Sequence, residues 1–175
     1  MIDSQDWKNH DRIDFKNQNL ELIRLPDFEI QSPGLSFNTE LHFDNCNIEA
    51  MSASTLFLGK KIVLNNCIIN QELGFMATYF FGGFEMRNCV VKGFSTFSCG
   101  VHNNPPNKFI IDSCIFENYV DFFDVFFGWE AIITNNKFLK GTNLGVYLKV
   151  PFGIEKGIEF KLEKNEGNVN LRTEE

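Results

Sequence analysis

The chain predicts an all-β fold: a right-handed parallel β-helix, a solenoid of about five to six coils with three strands per coil and a cap at each end. Three observations lead there. One eight-residue pattern recurs in Leu41-His-Phe-Asp-Asn-Cys-Asn-Ile48, Ile62-Val-Leu-Asn-Asn-Cys-Ile-Ile69, Phe84-Glu-Met-Arg-Asn-Cys-Val-Val91, Phe109-Ile-Ile-Asp-Ser-Cys-Ile-Phe116 and Ala131-Ile-Ile-Thr-Asn-Asn-Lys-Phe138. Aligned, several of its columns keep a single chemical character. The sixth residues, Cys46, Cys67, Cys89, Cys114 and Asn136, follow one another at 21, 22, 25 and 22 residues. A period of that size marks units that cannot bury an apolar face alone and complete their core by stacking.

Residues 1–12, with Trp7, are expected to form the first cap, because an open solenoid end exposes unpaired strand edges. The β-helix is expected over 13–149. It opens on a leading copy, Ile13, Phe15, Asn17, Gln18 and Leu20, 28 residues before Cys46. Five and three residues before the Cys position, every copy is apolar: Leu41, Ile62, Phe84, Phe109, Ala131, and Phe43, Leu64, Met86, Ile111, Ile133. The residues between them vary or are polar, which is the alternation of a strand with one buried face. One before the Cys position stand Asn45, Asn66, Asn88, Ser113 and Asn135. Asn tolerates a left-handed backbone, and its amide can bridge to the rungs above and below, so a corner with stacked amides is expected.

A third strand is expected between copies, in Ser54-Thr-Leu-Phe-Leu-Gly59, Ala77-Thr-Tyr-Phe-Phe-Gly82, Ser95-Thr-Phe-Ser-Cys-Gly100, Phe123-Asp-Val-Phe-Phe-Gly128 and Leu144-Gly-Val-Tyr-Leu-Lys149. After Gly100 the insertion Val101-His-Asn-Asn-Pro-Pro-Asn107 has loop chemistry. The right-handed hand follows from strand twist and crossover preference. Residues 150–175 are read as a second cap, with Ile158, Phe160 and Leu162 alternating as a final or antiparallel strand and the tail frayed from Asn168.

On these columns the chain resembles the pectate-lyase-like superfamily of right-handed parallel β-helices, over about residues 13–149, through the stacked Asn corner in motifs such as Ile62-Val-Leu-Asn-Asn-Cys-Ile-Ile69. The resemblance implies the fold and little of the chemistry, since this architecture carries lyases, hydrolases, phage spikes and inert scaffolds. It also implies that any active site would lie outside the Gly-ending strand or in its flanking loops.

Composition narrows the function. At 175 residues one domain is expected, with a substantial core. Its rings are 20 Phe against 3 Tyr and 2 Trp, which suits a dry stacked interior. A net charge of −7 disfavours nucleic acid and anionic membrane as partners. The polar start and the lack of a long apolar run point to the cytoplasm. The five cysteines and three histidines show no zinc spacing, so no metal and no cofactor is expected. Four of the cysteines should form a buried column of reduced thiols.

The outer face of the third strand is the candidate site. Taking the terminal Gly as anchor, Thr55, Thr78, Thr96 and Asp124 point outward, as do Phe57, Phe80, Phe126 and Tyr147, with Ser98 interrupting the aromatic row. Asp121 and Asp124 are the acids at hand, and they lack the partners a carboxylate pair needs, so no catalytic residue is assigned. His102, in the insertion, is the remaining binding candidate. An exposed aromatic row normally marks an interface. The expectation is a noncatalytic interaction scaffold, an inhibitor or immunity-type protein whose partner is another protein such as a basic toxin or enzyme. A homo-oligomer joined through the aromatic face is a further expectation. The competing reading is a carbohydrate-binding or polysaccharide-degrading β-helix.

Overall fold

The computed structural model describes residues 7, 10–25, 37–148 and 157–171. They form a parallel β-helix. Its first sheet stacks seven strands in the order β1 (Arg12–Lys16), β3 (Glu40–Asp44), β5 (Ile62–Asn65), β8 (Phe84–Arg87), β11 (Phe109–Asp112), β14 (Ala131–Thr134) and β16 (Phe160–Glu163). All are parallel, and the register is the one the columns require: Ile13 lies beside Leu41, Leu41 beside Ile62, Ile62 beside Phe84, and Phe109 beside Ala131.

The second sheet holds β2 (Asn19–Arg24), β4 (Asn47–Ser52), β6 (Ile68–Ile69), β7 (Leu73–Gly74), β9 (Val90–Val91), β10 (Ser95–Thr96), β12 (Ile115–Phe116), β13 (Val120–Asp121), β15 (Lys137–Phe138) and β17 (Glu166–Gly167). Strand β4 pairs with both β6 and β7, so this side is straight in the early coils and folded into two short strands afterwards. The third side is a ladder of single bridges, Phe57 to Tyr79, Tyr79 to Val101 and Val101 to Phe126.

Two columns of left-handed residues turn the corners. The first is Asn17, Asn45, Asn66, Asn88, Ser113 and Asn135, with φ between 52° and 58°. Asn suits this backbone because its short side chain reduces the steric cost that other residues meet there. The expected amide stack at this corner is realised once: Asn45 donates to Asn17 at 2.7 Å, while Asn66 turns to Asp44 at 3.2 Å and Asn135 to Asp112 at 2.8 Å. Solvent reaches these side chains, so nothing forces them to bond one another.

The buried ladder lies one residue later. The thiols of Cys46, Cys67, Cys89 and Cys114 are free and enclosed, each within 3.6 Å of a carbonyl oxygen on the rung before. Asn136 continues the column, accepting from the Cys114 N–H at 2.9 Å and donating to Ile111 at 2.9 Å. Asn165 repeats the arrangement on Asn136 and Ile133. A corner peptide buried inside the coil must find partners, and a thiol or an amide supplies both a donor and an acceptor.

The second corner is Thr55, Ala77, Cys99 and Asp124, with φ between 51° and 56°. It corrects the third-strand register. Ser95–Thr96 belongs to the second sheet, between Leu73–Gly74 and Val120–Asp121, and the third side of that coil is at Val101. Leu144–Tyr147 is a short helix, α1, with Asn143 before it, and not a strand. The parallel ladder also runs past residue 149: β16 continues on β14 with Phe160 beside Ala131 and Leu162 beside Ile133, followed by the left-handed Lys164. Of the expected first cap, Trp7 is buried against Phe15, with ring centroids 5.3 Å apart. Residues 1–6, 8–9, 150–156 and 172–175 of the expected caps, and 26–36 and 149 of the expected β-helix, lie outside the described residues.

Candidate functional site

The core takes the inward columns, and what it leaves outside defines the site. Phe75, Phe80, Phe84, Phe97, Phe109, Phe122 and Phe127 are fully buried. Phe80 meets Phe84 at 5.0 Å and Phe75 at 5.3 Å, so this member of the expected outer row points inward. Thr78 is enclosed, its hydroxyl donating to Ala53 O at 2.9 Å. Thr96 is nearly so, its hydroxyl 2.8 Å from that of Ser98. Tyr147 sits on α1, half-buried, with its ring 5.2 Å from Phe123. Thr55 and Asp124 are exposed, at the second corner.

The row that the third side does present is Phe57, Tyr79, His102 and Phe126, all half-buried, with Phe81 beside it. Ring centroids are 4.9 Å apart for Phe57 and Tyr79, 4.4 Å for Tyr79 and His102, and 4.9 Å for His102 and Phe126. Phe81 lies 5.8 Å from Phe57 and 6.0 Å from Tyr79. Phe57, Tyr79 and Phe81 thus form a triangular cluster, not a single file.

His102 reaches this row through an unusual backbone. Val101 and His102 both have positive φ, 77° and 41°. Val101 keeps the rung's pairing with its side chain fully buried, and the next residue supplies the outer ring. The insertion is tied down by the buried Asn103, whose amide donates to Asn107 O at 3.0 Å and Glu130 O at 3.1 Å and accepts from the Trp129 N–H at 3.4 Å. Burial pushes the His102 imidazole below its ordinary pKa, with the charge of Asp124 pulling the other way.

A register anchored on the terminal glycine turns Tyr79 and Phe81 inward, whereas Tyr79 stands in the outer row and Phe81 beside it. The Gly residues at 59, 82, 100 and 128 are 23, 18 and 28 residues apart, which does not match the repeat. Positions 57, 79, 101 and 126 step by 22, 22 and 25, close to the steps of the Cys column. That regularity was the available signal.

Acid–base chemistry finds little footing nearby. Asp121 accepts from the Phe123 N–H at 2.9 Å and from Asn143 at 2.6 Å, so it holds a corner together. The exposed Cys99 thiol is pushed up by burial and by the charges of Asp124 and Asp121, opposite to what a thiolate nucleophile needs. Among the described residues, no three His, Cys, Asp or Glu gather to hold a metal.

Around the next corner a groove of about 540 Å³ runs over Gly59, Val63 and Gly82 on the outside of the first sheet. Its charges are largely matched within the protein. Glu40 contacts His42 and lies 3.7 Å from Arg12, and Glu85 lies 3.5 Å from Lys61 and 2.8 Å from Arg87. Burial raises the Glu85 pKa, but the hydrogen bond and charge of Arg87 outweigh it and leave the carboxyl below its ordinary value. A general acid requires the opposite shift.

The fold and this face define a β-solenoid with an aromatic outer side. Comparison with known proteins found no family model that matches the chain, no curated protein similar to it and no solved structure that matches it. Among the described residues no helix is long and apolar enough to cross a membrane.

Proposed function

We propose that this chain is a noncatalytic protein-interaction scaffold, a rigid β-helix that offers its aromatic side to another protein in the manner of an inhibitor or immunity protein. One observation carries the reading. Phe57, Tyr79, Phe81, His102 and Phe126 stand half-exposed on successive rungs, near a Cys99 thiol that burial and the charges of Asp124 and Asp121 push up. Aromatic rings on a stiff backbone supply contact area at low entropic cost and are frequent interface anchors. A net charge of −7 would steer the encounter toward a basic partner, and the cytoplasm is the proposed setting.

The test combines Phe57→Ser, Tyr79→Ser and Phe126→Ser. A protein captured by the native chain, once purified, should bind the native chain and not the triple variant, while the variant's unfolding midpoint shifts little. Undiminished binding by the variant overturns the proposal. A collapse of stability would show instead that the rings serve the fold.

The groove supports a second reading, a carbohydrate-binding or polysaccharide-degrading protein of the pectate-lyase-like superfamily. Gly59, two residues after Phe57, and Gly82, next after Phe81, line it together with Asn65 and Asn107. Rings beside amide groups suit a sugar. Binding on a glycan array, or unsaturated products from an acidic polysaccharide, would favour this reading; silence in both removes it.

A further inference from the structure

We propose that the carboxyl-terminal end of the solenoid docks a second copy of this chain, edge to edge through β16. The two ends differ. At the first, Phe15 is 7% exposed beneath Trp7, itself 5% exposed. At the other, Phe160, Leu162 and Val169 pack on the core but stay half-exposed, and β16 is the last strand of the first sheet among the described residues.

The hydrogen bonds fix which peptide groups face outward. Ala131 N–H donates to Glu159 O at 3.2 Å and Asn135 N–H to Glu163 O at 3.1 Å, so residues 159, 161 and 163 turn toward β14. In a parallel ladder the alternate residues turn the other way. The N–H and C=O groups of Phe160 and Leu162 therefore point past the end, an edge able to template a further strand.

Twofold symmetry makes such a pairing antiparallel, because each β16 must see the other as it is seen. Charge then selects the register. Centred on Lys161, the pairing sets Lys161 against itself and Glu159 against Glu163. Centred on Glu163, it opposes the two Glu163 carboxylates. Centred on Phe160, it sets Lys161 against Glu159, which lies before β16 begins, so that register pairs strand with loop and Glu163→Lys leaves it unopposed. Centred on Leu162, it puts Lys161 opposite Glu163 of the second copy, twice, and inward Leu162 against inward Leu162. Leu162 is also a residue whose peptide groups already face out, as the middle of a hydrogen-bonded antiparallel pair requires. The in-chain partner of Lys161 is Glu159, 2.8 Å away with its side chain 57% exposed. Lys161 and Glu163 both stand on the outer, solvated face of β16.

The experiment is light scattering and sedimentation of the full chain over a concentration series. The native chain should dimerise. Lys161→Glu and Glu163→Lys should each weaken the dimer by about tenfold or more, since two symmetric pairs turn repulsive at once. The double exchange Lys161→Glu with Glu163→Lys should restore it. Thermal unfolding of each variant checks that the fold persists. A native chain that stays monomeric, or a double exchange that fails to recover association, overturns the proposal. The Phe57, Tyr79 and Phe126 triple variant should still dimerise; a dimer lost there would place self-association on the aromatic side and refute the end-to-end pairing.

Discussion

His102 shows how a single residue couples the outer row to solution conditions. Its ring lies between Tyr79 and Phe126, and burial holds its pKa below the ordinary value. The folded state thus favours the neutral imidazole. Its contribution to stability is complete above the unfolded value, about 6.5, and is lost as pH falls below that value toward the lower folded one. Chemical denaturation from about pH 7 to about pH 5 should show a loss of stability in the native chain that His102→Phe reduces. The substitution keeps a ring in the row, and its cost at a left-handed φ of 41° is the same at every pH. An identical slope in both proteins would contradict the placement of His102.

At the scale of elements, the third side assigns opposite fates to adjacent rings. Phe80 and Phe81 are neighbours in sequence, both preceding Gly82. Phe80 is fully buried among Phe75, Phe84 and Phe109, whereas Phe81 projects beside Phe57 and Tyr79. Phe80→Ala should cost about 3–5 kcal/mol by opening a cavity. Phe81→Ala should cost about 1 kcal/mol or less, the scale of a partly exposed ring contact. Denaturant titration ranks the two, and the reverse order would restore the glycine-anchored register. The inward columns around Leu41 and Phe43 were legible because every copy repeats them. The third side was not, because one extra residue at Phe81 and the insertion after Gly100 break the count that a local alignment relies on.

Over the whole molecule, stability in a solenoid is a sum of rung energies and contacts between neighbours. The central strands β5, β8 and β11 have a rung on each side and fully buried inward residues, whereas β16 and β17 have, among the described residues, a rung on one side and half-exposed or exposed side chains. Amide exchange should therefore be slowest in the central strands and fastest toward β17, with β16 exchanging faster in Lys161→Glu than in the native chain. Uniform protection along the axis would show a cooperative unit larger than the rung.

The repeated columns alone determined the parallel stacking, the apolar interior and the buried thiols, because those features depend on the sequence period and on which side chains tolerate burial. Tertiary structure decided where the Phe57, Tyr79 and Phe126 rings meet, that Phe80 lies inside, that His102 fills the gap in the row, and that the last strand, Phe160–Glu163, joins the ladder in parallel. These depend on the side-chain phase at each corner. One residue gained or lost there, or a left-handed pair such as Val101 and His102, exchanges inside for outside, and only the neighbouring rungs hold the chain to one of the two.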